Sequence, residues 1–398
     1  MLAVGHYKKH IRPETKVETM RKYAIGATAV LLCGVTGTAQ AQSGVTLYGL
    51  LDTGVEYLTH ANVKGDRLVR MPAITGVYPS RWGFKGAEDL GGGLKATFVL
   101  ESGFGVGNGN SLQGGRLFGR QAWVGLSGRY GTLSFGRQYT MTTWALADND
   151  IIGPDIYGMG SLDSYIPNAR ADNSVVYKVT MGQFTAGAAW SFGRDAAGTG
   201  NSPGQGTCAG SVAGDFRQCT DWSALLRYDG GSFGVAASYE EQRGGANAAF
   251  NFFDGVAPAP FTGSGGKDAR AQANVYVQLF GVKFDAGWLG RHVSSGSAAV
   301  ASVRSDMFFA GAQYFITPFV ELDGEAFRII NTQHDTRATM ATVRAIYLLS
   351  KRSGVYAQGT YLANSAHARY SASSGGPGAT PGPGMNQTGV MLGMFHQF

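Results

Sequence analysis

The chain has 398 residues, 61 of them glycine and only 12 proline, a formal net charge of +6, and 15 % charged residues against the roughly 25 % of a soluble domain. That balance excludes a Pro-rich disordered chain and a strongly acidic one. Beyond residue 41 no apolar run approaches the ~18–20 residues of a spanning helix, so a helical membrane protein is excluded as well.

Chain order begins with Met20-Arg21-Lys22, a mostly apolar stretch from Ala24 to Gly37, and Ala39-Gln40-Ala41. A basic segment, a short apolar segment and an Ala-x-Ala site form a secretory signal peptide. An N-terminal membrane anchor would need a longer apolar run. Residues 1–41 are therefore expected to be a leader removed after Ala41, with residues 1–19 a preamble to a true start at Met20. That leader carries a net +4, which leaves only +2 on residues 42–398. The basic balance is thus no argument for a nucleic-acid partner.

From Val45 onward, segments of about ten residues alternate between apolar and polar positions, as strands with one apolar face do. Leu94, Ala96, Phe98 and Leu100 alternate with Lys95, Thr97, Val99 and Glu101, and Val275, Val277 and Leu279 with Asn274, Tyr276 and Gln278. Sixteen such segments are predicted, near 45–58, 80–89, 94–104, 117–127, 132–139, 173–181, 184–193, 221–229, 233–242, 269–280, 282–292, 306–316, 319–330, 338–350, 355–364 and 387–398. Short Gly-rich turns such as Met181-Gly182-Gln183 alternate with long polar connections, roughly 59–78, 105–116, 140–172, 195–220, 243–268, 293–305, 331–337 and 366–386.

An even number of ~10-residue strands, with short turns at one end and long loops at the other, is the pattern of an outer-membrane barrel. Closure removes the unpaired sheet edge that hydrocarbon could not solvate. A secreted sandwich or solenoid would not account for the strict turn–loop alternation. The expected fold is all-β: a sixteen-stranded antiparallel transmembrane β-barrel comprising residues 42–398.

Sixteen strands enclose water rather than packed side chains, so the lumen face is expected to be polar, with Lys95, Thr97, Glu101, Asn274 and Gln278 on it. The 140–172 connection is the best candidate for narrowing that channel. It carries Asp148, Asp150, Asp155 and Asp163 beside Ile151, Ile152, Ile156 and Tyr157, too apolar a set to dangle in water. It is expected to fold inward. After removal of the leader two cysteines remain, Cys208 and Cys219, in a Gly/Ser/Asn-rich stretch. An even pair in an exported protein reads as a disulfide closing a surface loop. A metal site would need His or further Cys nearby.

Catalytic and cofactor patterns give way to blander readings. Gly230-Gly231-Ser232-Phe233-Gly234 matches the nucleophile-elbow spacing, but that motif needs a strand running into a helix, and here it marks a hairpin turn. Gly103-Phe104-Gly105-Val106-Gly107 is followed by no helix and is not a dinucleotide fingerprint. No metal, cofactor or catalytic set is expected.

Several stretches together resemble a family: Val45-Thr46-Leu47-Tyr48-Gly49, Ser80-Arg81-Trp82-Gly83-Phe84-Lys85-Gly86, Phe118-Gly119-Arg120-Gln121-Ala122-Trp123, Asp172-Asn173-Ser174-Val175-Val176-Tyr177 and the terminal Phe398. They are similar to the trimeric general-diffusion porins of Gram-negative outer membranes, in particular the β-proteobacterial branch. The resemblance implies a homotrimer in contact with outer-membrane lipid and lipopolysaccharide, with the third external loop folded into each pore. It also implies that the last strand and Phe398 are the assembly signal read by the barrel-insertion machinery. In such porins wall arginines face acids on the inward loop. The matching wall positions are Arg81 and Arg120, both expected mid-strand, and Arg170, which is open between a pore position and a loop tether. Pro154-Asp155-Ile156-Tyr157-Gly158 resembles the family's loop turn and makes Asp155 its acid, with Asp150 beside it. Arg137 and Lys178 join the basic side if their strands face the lumen. Cations outnumbering acids at the narrowest point imply weak anion preference. A substrate-specific channel of the same fold is the alternative, and would show a train of aromatics along one track. A barrel enzyme would need a Ser/His or Asp/His set at the rim.

Overall fold

The computed structural model describes residues 44–398 except 148, 164–168, 195–207, 209, 297–300 and 375–377. The expected leader, Cys33 and Asp148 lie outside the described residues. Sixteen long strands follow one another: β1 (Gly44–Leu58), β2 (Arg81–Gly91), β3 (Leu94–Gly103), β4 (Gln121–Gly128), β5 (Gly131–Tyr139), β6 (Arg170–Met181), β7 (Phe184–Ser191) and β8 (Asp221–Asp229) form the first half. The second half is β9 (Phe233–Arg243), β10 (Lys267–Leu279), β11 (Val282–Ser294), β12 (Val303–Thr317), β13 (Val320–Asn331), β14 (Thr336–Leu348), β15 (Ser353–Asn364) and β16 (Gln387–Gln397). Each pairs antiparallel with the next. The circle closes where β16 pairs with β1 from Leu50↔Gln397 to Leu58↔Gly389.

Alternation explains both faces. Along β16, Val390, Leu392 and Met394 are exposed on the outside while Gly389, Met391 and Phe395 are buried inside. Tight turns close every second connection. At Met181-Gly182-Gln183 the glycine takes φ +61, a conformation that costs a residue with a Cβ. At the same end, Gly49 and Phe398 exchange backbone hydrogen bonds of 3.1 Å, so the last residue seals the final seam.

The structure adds elements that alternation could not reveal. Leu68–Arg70 pairs with the end of β1, and Ala249–Phe250 pairs with Ala259–Pro260 in a small hairpin, both within connections expected to be irregular. The 140–169 connection holds a short helix, α1 (Met141–Leu146), and a 3-10 turn at Met159–Ser161. Cys208 and Cys219 are joined by a disulfide, packed with Phe250, Phe252 and Phe261 of the following connection.

The lumen wall departs from the all-polar expectation. Leu289, Met307, Phe309, Phe327 and Met340 on β11–β14 form one buried cluster with Leu146, Ile152, Met159 and Leu162 of the 140–169 connection. Ile346, Tyr356, Met391 and Phe395 on β14–β16 form another with Ile156 and Tyr157. Apolar side chains occupy the inward positions there because the connection covers them and removes them from water.

Candidate functional site

A row of arginines lines the inward side of β2–β6. The β2–β3 register sets Gly83 opposite Glu101, and the β3–β4 register sets Glu101 opposite Gln121, next to Arg120. Glu101 therefore receives Arg120 Nε at 2.7 Å on one oxygen, and on the other Tyr48 Oη at 3.0 Å, with Arg81 Nε at 3.8 Å. Arg120 Nη2 also donates to Tyr139 Oη at 2.7 Å. Tyr139 in turn accepts Arg170 Nη2 at 3.2 Å, and the Arg170 guanidinium stacks 4.6 Å above its ring. A second acid, Asp172, takes Arg137 Nη1 at 2.7 Å and Arg116 Nη2 at 2.8 Å. Four arginines thus share two carboxylates, and Arg170 joins them through Tyr139.

The opposite wall, β11–β15, is where the 140–169 connection is held. Arg344, on β14, ties three segments together. Its Nη1 donates to the carbonyls of Gly76 and Ile152 and to Asp155 Oδ2, each at 3.0 Å, while Nη2 reaches the Ile151 carbonyl at 3.2 Å and Asp323 Oδ2 at 2.7 Å. Asp155 also accepts from Gln358 Nε2 at 3.0 Å. Two wall acids cap the backbone of the connection: Ile151 N–H donates to Asp285 Oδ2 at 3.0 Å and Ile152 N–H to Glu325 Oε2 at 2.9 Å. Farther along, Asp163 meets Arg270 at 3.1 Å, and Tyr157 lies so close to Gly389 that a Cβ there would sit 2.7 Å from its ring. Burial pushes the Asp155 carboxyl up to about 7 against the pull of Arg344. It pushes Asp150, which accepts from Gly153 N–H at 2.8 Å, up to about 6.

A family model described as Gram-negative porin matches residues 27–367. An outer membrane porin of Bordetella pertussis is 33 % identical over 84 % of this chain and 93 % of its own length. The chain belongs to the Gram-negative porin family. Within it, outer membrane porin protein 32 of Delftia acidovorans is 29 % identical over 95 % of this chain and 100 % of its own. An anion-selective porin from Comamonas acidovorans superposes with a TM-score of 0.73 at 24 % identity, covering 90 % of this chain and 100 % of that one. The porin is of the β-proteobacterial type. Its family consists of outer-membrane channels rather than enzymes.

The structure brings Arg81, Arg120 and Arg170 of this porin into one chain of contacts but corrects their setting. Arg81 opens β2 and Arg120 immediately precedes β4, so these two stand at the loop ends of their strands rather than mid-strand, beside Arg170, which opens β6 at its expected loop end. Lys178 is not with them. It lies eight residues farther along β6, roughly 26 Å at ~3.3 Å per residue, with its ammonium 3.1 Å from the centre of the Trp144 ring. The ion partner of Asp155 is Arg344, and the acid between Arg81 and Arg120 is Glu101. Sequence reasoning passed over Arg344, Asp323, Asp285 and Glu325. Their signal was parity: Glu321, Asp323 and Glu325 recur at every second residue of β13, and a charge on a spanning strand avoids the lipid face, where it would cost up to ~2–4 kcal/mol.

Proposed function

We propose that this porin passes small hydrophilic solutes and ions by passive diffusion with a weak preference for anions, set by the field of Arg81, Arg120 and Arg170 beside a constriction. In this reading the 140–169 connection folds into the barrel and narrows it, held by Arg344, Asp155 and Asp150 on the β11–β15 side. The observation that carries it is the charge division among the described residues: four arginines share Glu101 and Asp172 on the β2–β6 side, with Arg170 joined to them through Tyr139, while Asp155, Asp323, Asp285 and Glu325 opposite are engaged with Arg344 or with backbone N–H groups. An excess of fixed cations beside a narrow aqueous gap raises the local concentration of anions. Lys178, near the turn end of β6, adds to the field there rather than at the gap. The superposable Comamonas protein is itself anion-selective by name, which supports the reading.

The test is reversal potential across a salt gradient in a planar bilayer. The double variant Arg81→Ala/Arg120→Ala is expected to shift it toward cations, and an unchanged potential refutes the constriction role. A substrate-specific channel would instead show currents that a solute blocks at saturation. Residues 1–41 act in this reading as an export leader, the barrel works as a homotrimer among outer-membrane lipids, and the Phe398 end serves as the signal for insertion. Its seam with Gly49 supports that last role.

A further inference from the structure

The connection between β1 and β2 packs beside the 140–169 connection, and Ile156 N–H donates to the Thr75 carbonyl at 3.1 Å. The N–H groups of Val77 and Tyr78 both donate to Asp52 Oδ2, at 3.0 and 2.9 Å, and Gly76 N–H donates to Tyr356 Oη at 3.1 Å. Asp52 and Tyr356 are buried inward positions of β1 and β15, so residues 75–78 are fastened along the inner wall. Val77 joins the cluster of Ile156, Tyr157 and Ile346, and Tyr78 is left half-buried at its edge. There it lies within the fields of Arg344 and Glu321 on β13–β14 and of Arg81 on β2.

From Tyr78 onward, rings alternate with cations along the inward face of β2. The Arg81 guanidinium carbon lies 5.9 Å from the Tyr78 ring centre. Arg81, Gly83 and Lys85 share that face, and the β1–β2 register sets Tyr48 opposite Gly83, diagonal to both cations. Glycine makes room for it, since a Cβ at Gly83 would sit 3.0 Å from Tyr48 Oη. The Tyr48 hydroxyl is fixed by Glu101 Oε2 at 3.0 Å, and the Lys85 ammonium lies 5.3 Å from the ring centre. The two cations stand about 13 Å apart at ~3.3 Å per residue, with the Tyr48 ring between them. Tyr78, Arg81, Tyr48 and Lys85 are all partly exposed, whereas Arg120 and Arg170 are buried.

Each member of this row offers a different contact. The cations attract negative charge, while the tyrosine rings and the flat guanidinium accept a planar π surface by stacking. A saturated carboxylate can use only the cations, and a neutral aromatic only the rings. A carboxylate carried on a flat aromatic ring uses both. Tyr48 is held by Glu101 and Tyr78 by its backbone hydrogen bond to Asp52, so little ordering cost remains when a solute arrives.

We propose that Tyr78, Arg81, Tyr48 and Lys85 form a solute-binding track for planar aromatic carboxylates. It rests on the reading of an anion-conducting pore and adds what an arginine field alone does not supply, discrimination between anions of equal charge and similar size. Contacts of this kind are weak enough for the solute to leave again, as conduction requires.

The experiment titrates the chloride current of the purified porin in planar bilayers with benzoate and with cyclohexanecarboxylate. Both are ionised at neutral pH and similar in size, and they differ in the π face. Benzoate is expected to halve the current at a concentration about two- to fivefold lower. Cyclohexanecarboxylate is the more hydrophobic, so a merely apolar site reverses that order. Tyr48→Leu/Tyr78→Leu is expected to bring the two half-blocking concentrations together, while Tyr48→Phe/Tyr78→Phe, which keeps both rings, retains the preference. Absent block, an equal or reversed order in the parent, a preference kept by the Leu variant or one lost by the Phe variant overturns the proposal. If the double Leu variant does not assemble, Tyr78→Leu, which lies outside the strands, carries the test, and an unchanged preference there overturns it too. Chloride reversal potential, measured before either acid is added, separates the two readings. Anion preference without preference for benzoate refutes the track alone, whereas a pore without anion preference refutes the arginine field.

Discussion

Replacing Arg344 by Leu tests how the 140–169 connection is held. The guanidinium is 4 % exposed and its two carboxylate partners, Asp155 and Asp323, are fully buried. Leu fills part of the volume but strands the Asp323 carboxylate, takes from Asp155 the cation that favours its ionised form, and frees the carbonyls of Gly76, Ile151 and Ile152. Breaking a buried ion pair from one side costs about 3–5 kcal/mol. Lumen water can re-solvate some of the freed groups, which favours the lower figure. A loss of about 3 kcal/mol shifts the ratio of attached to detached connection by about 150-fold. The sixteen-strand circle keeps its ladder, so the barrel itself should melt nearly unchanged by heat-modified gel mobility. Single channels in planar bilayers should show larger and noisier open currents. Arg344→Leu/Asp155→Asn, which removes a buried carboxyl left without its cation, should recover part of the quiet state. Parental conductance and noise in Arg344→Leu would refute the anchoring argument.

Asp150 gives a pH dependence of definite sign. Its carboxyl is held up at about 6 by burial, so the folded connection favours its protonated form. The stability tied to that proton is complete below the ordinary range near 4 and is lost as pH rises through about 6. Open-channel noise should therefore grow between about pH 4 and pH 6, and Asp150→Asn should flatten the change. Gly389→Val places a side chain against the Tyr157 ring and should cost about 1–3 kcal/mol by overpacking, read as a lower melting temperature or as release of Tyr157 measured by its fluorescence. Cys208→Ser/Cys219→Ser opens a short loop closed across 11 residues. A loss of about 2–4 kcal/mol is expected, felt locally as faster tryptic cleavage at the exposed Arg217 while the barrel stays resistant.

The barrel was legible because each strand repeats one physical rule. A residue such as Val275 must meet lipid and its neighbour Asn274 must not, and sixteen repetitions of that demand leave a periodic trace. Strand ends shifted where the loop decides them. The 117–120 stretch reads as strand, yet its last residue, Arg120, keeps one ladder bond to Glu101 O at 3.0 Å before β4 begins. The arginine row was readable through Arg81 and Arg120, since few other positions offer an arginine a place in so apolar a shell. What stayed hidden was pairing. Asp155 lies 189 residues from Arg344 in sequence, and neither alternation nor local motif says which wall cation an irregular segment will find. Nor could alternation foresee that β11–β16 would turn apolar side chains inward, because that depends on a covering segment with no period of its own.

The distribution of satisfied groups bears on selectivity more than the count of charges does. On β11–β15 the acids are spent on protein partners: Asp285 and Glu325 accept from the backbone of the connection, and Asp323 and Asp155 from Arg344. A carboxylate so engaged has fewer lone pairs to offer a passing cation, and its field is partly cancelled by the dipole that binds it. On β2–β6 the proportion is reversed, since Glu101 and Asp172 are shared among four arginines, Arg81, Arg116, Arg120 and Arg137. A guanidinium has five N–H donors, so even a paired arginine keeps donors for a solute. In the proposed reading the two walls then present unequal faces to the water between them, to the advantage of the anion. If a surplus of donors sets the selectivity, replacing Glu101 by Gln, which relieves Arg81 and Arg120 of their acid, should raise anion preference in the reversal-potential assay rather than abolish it.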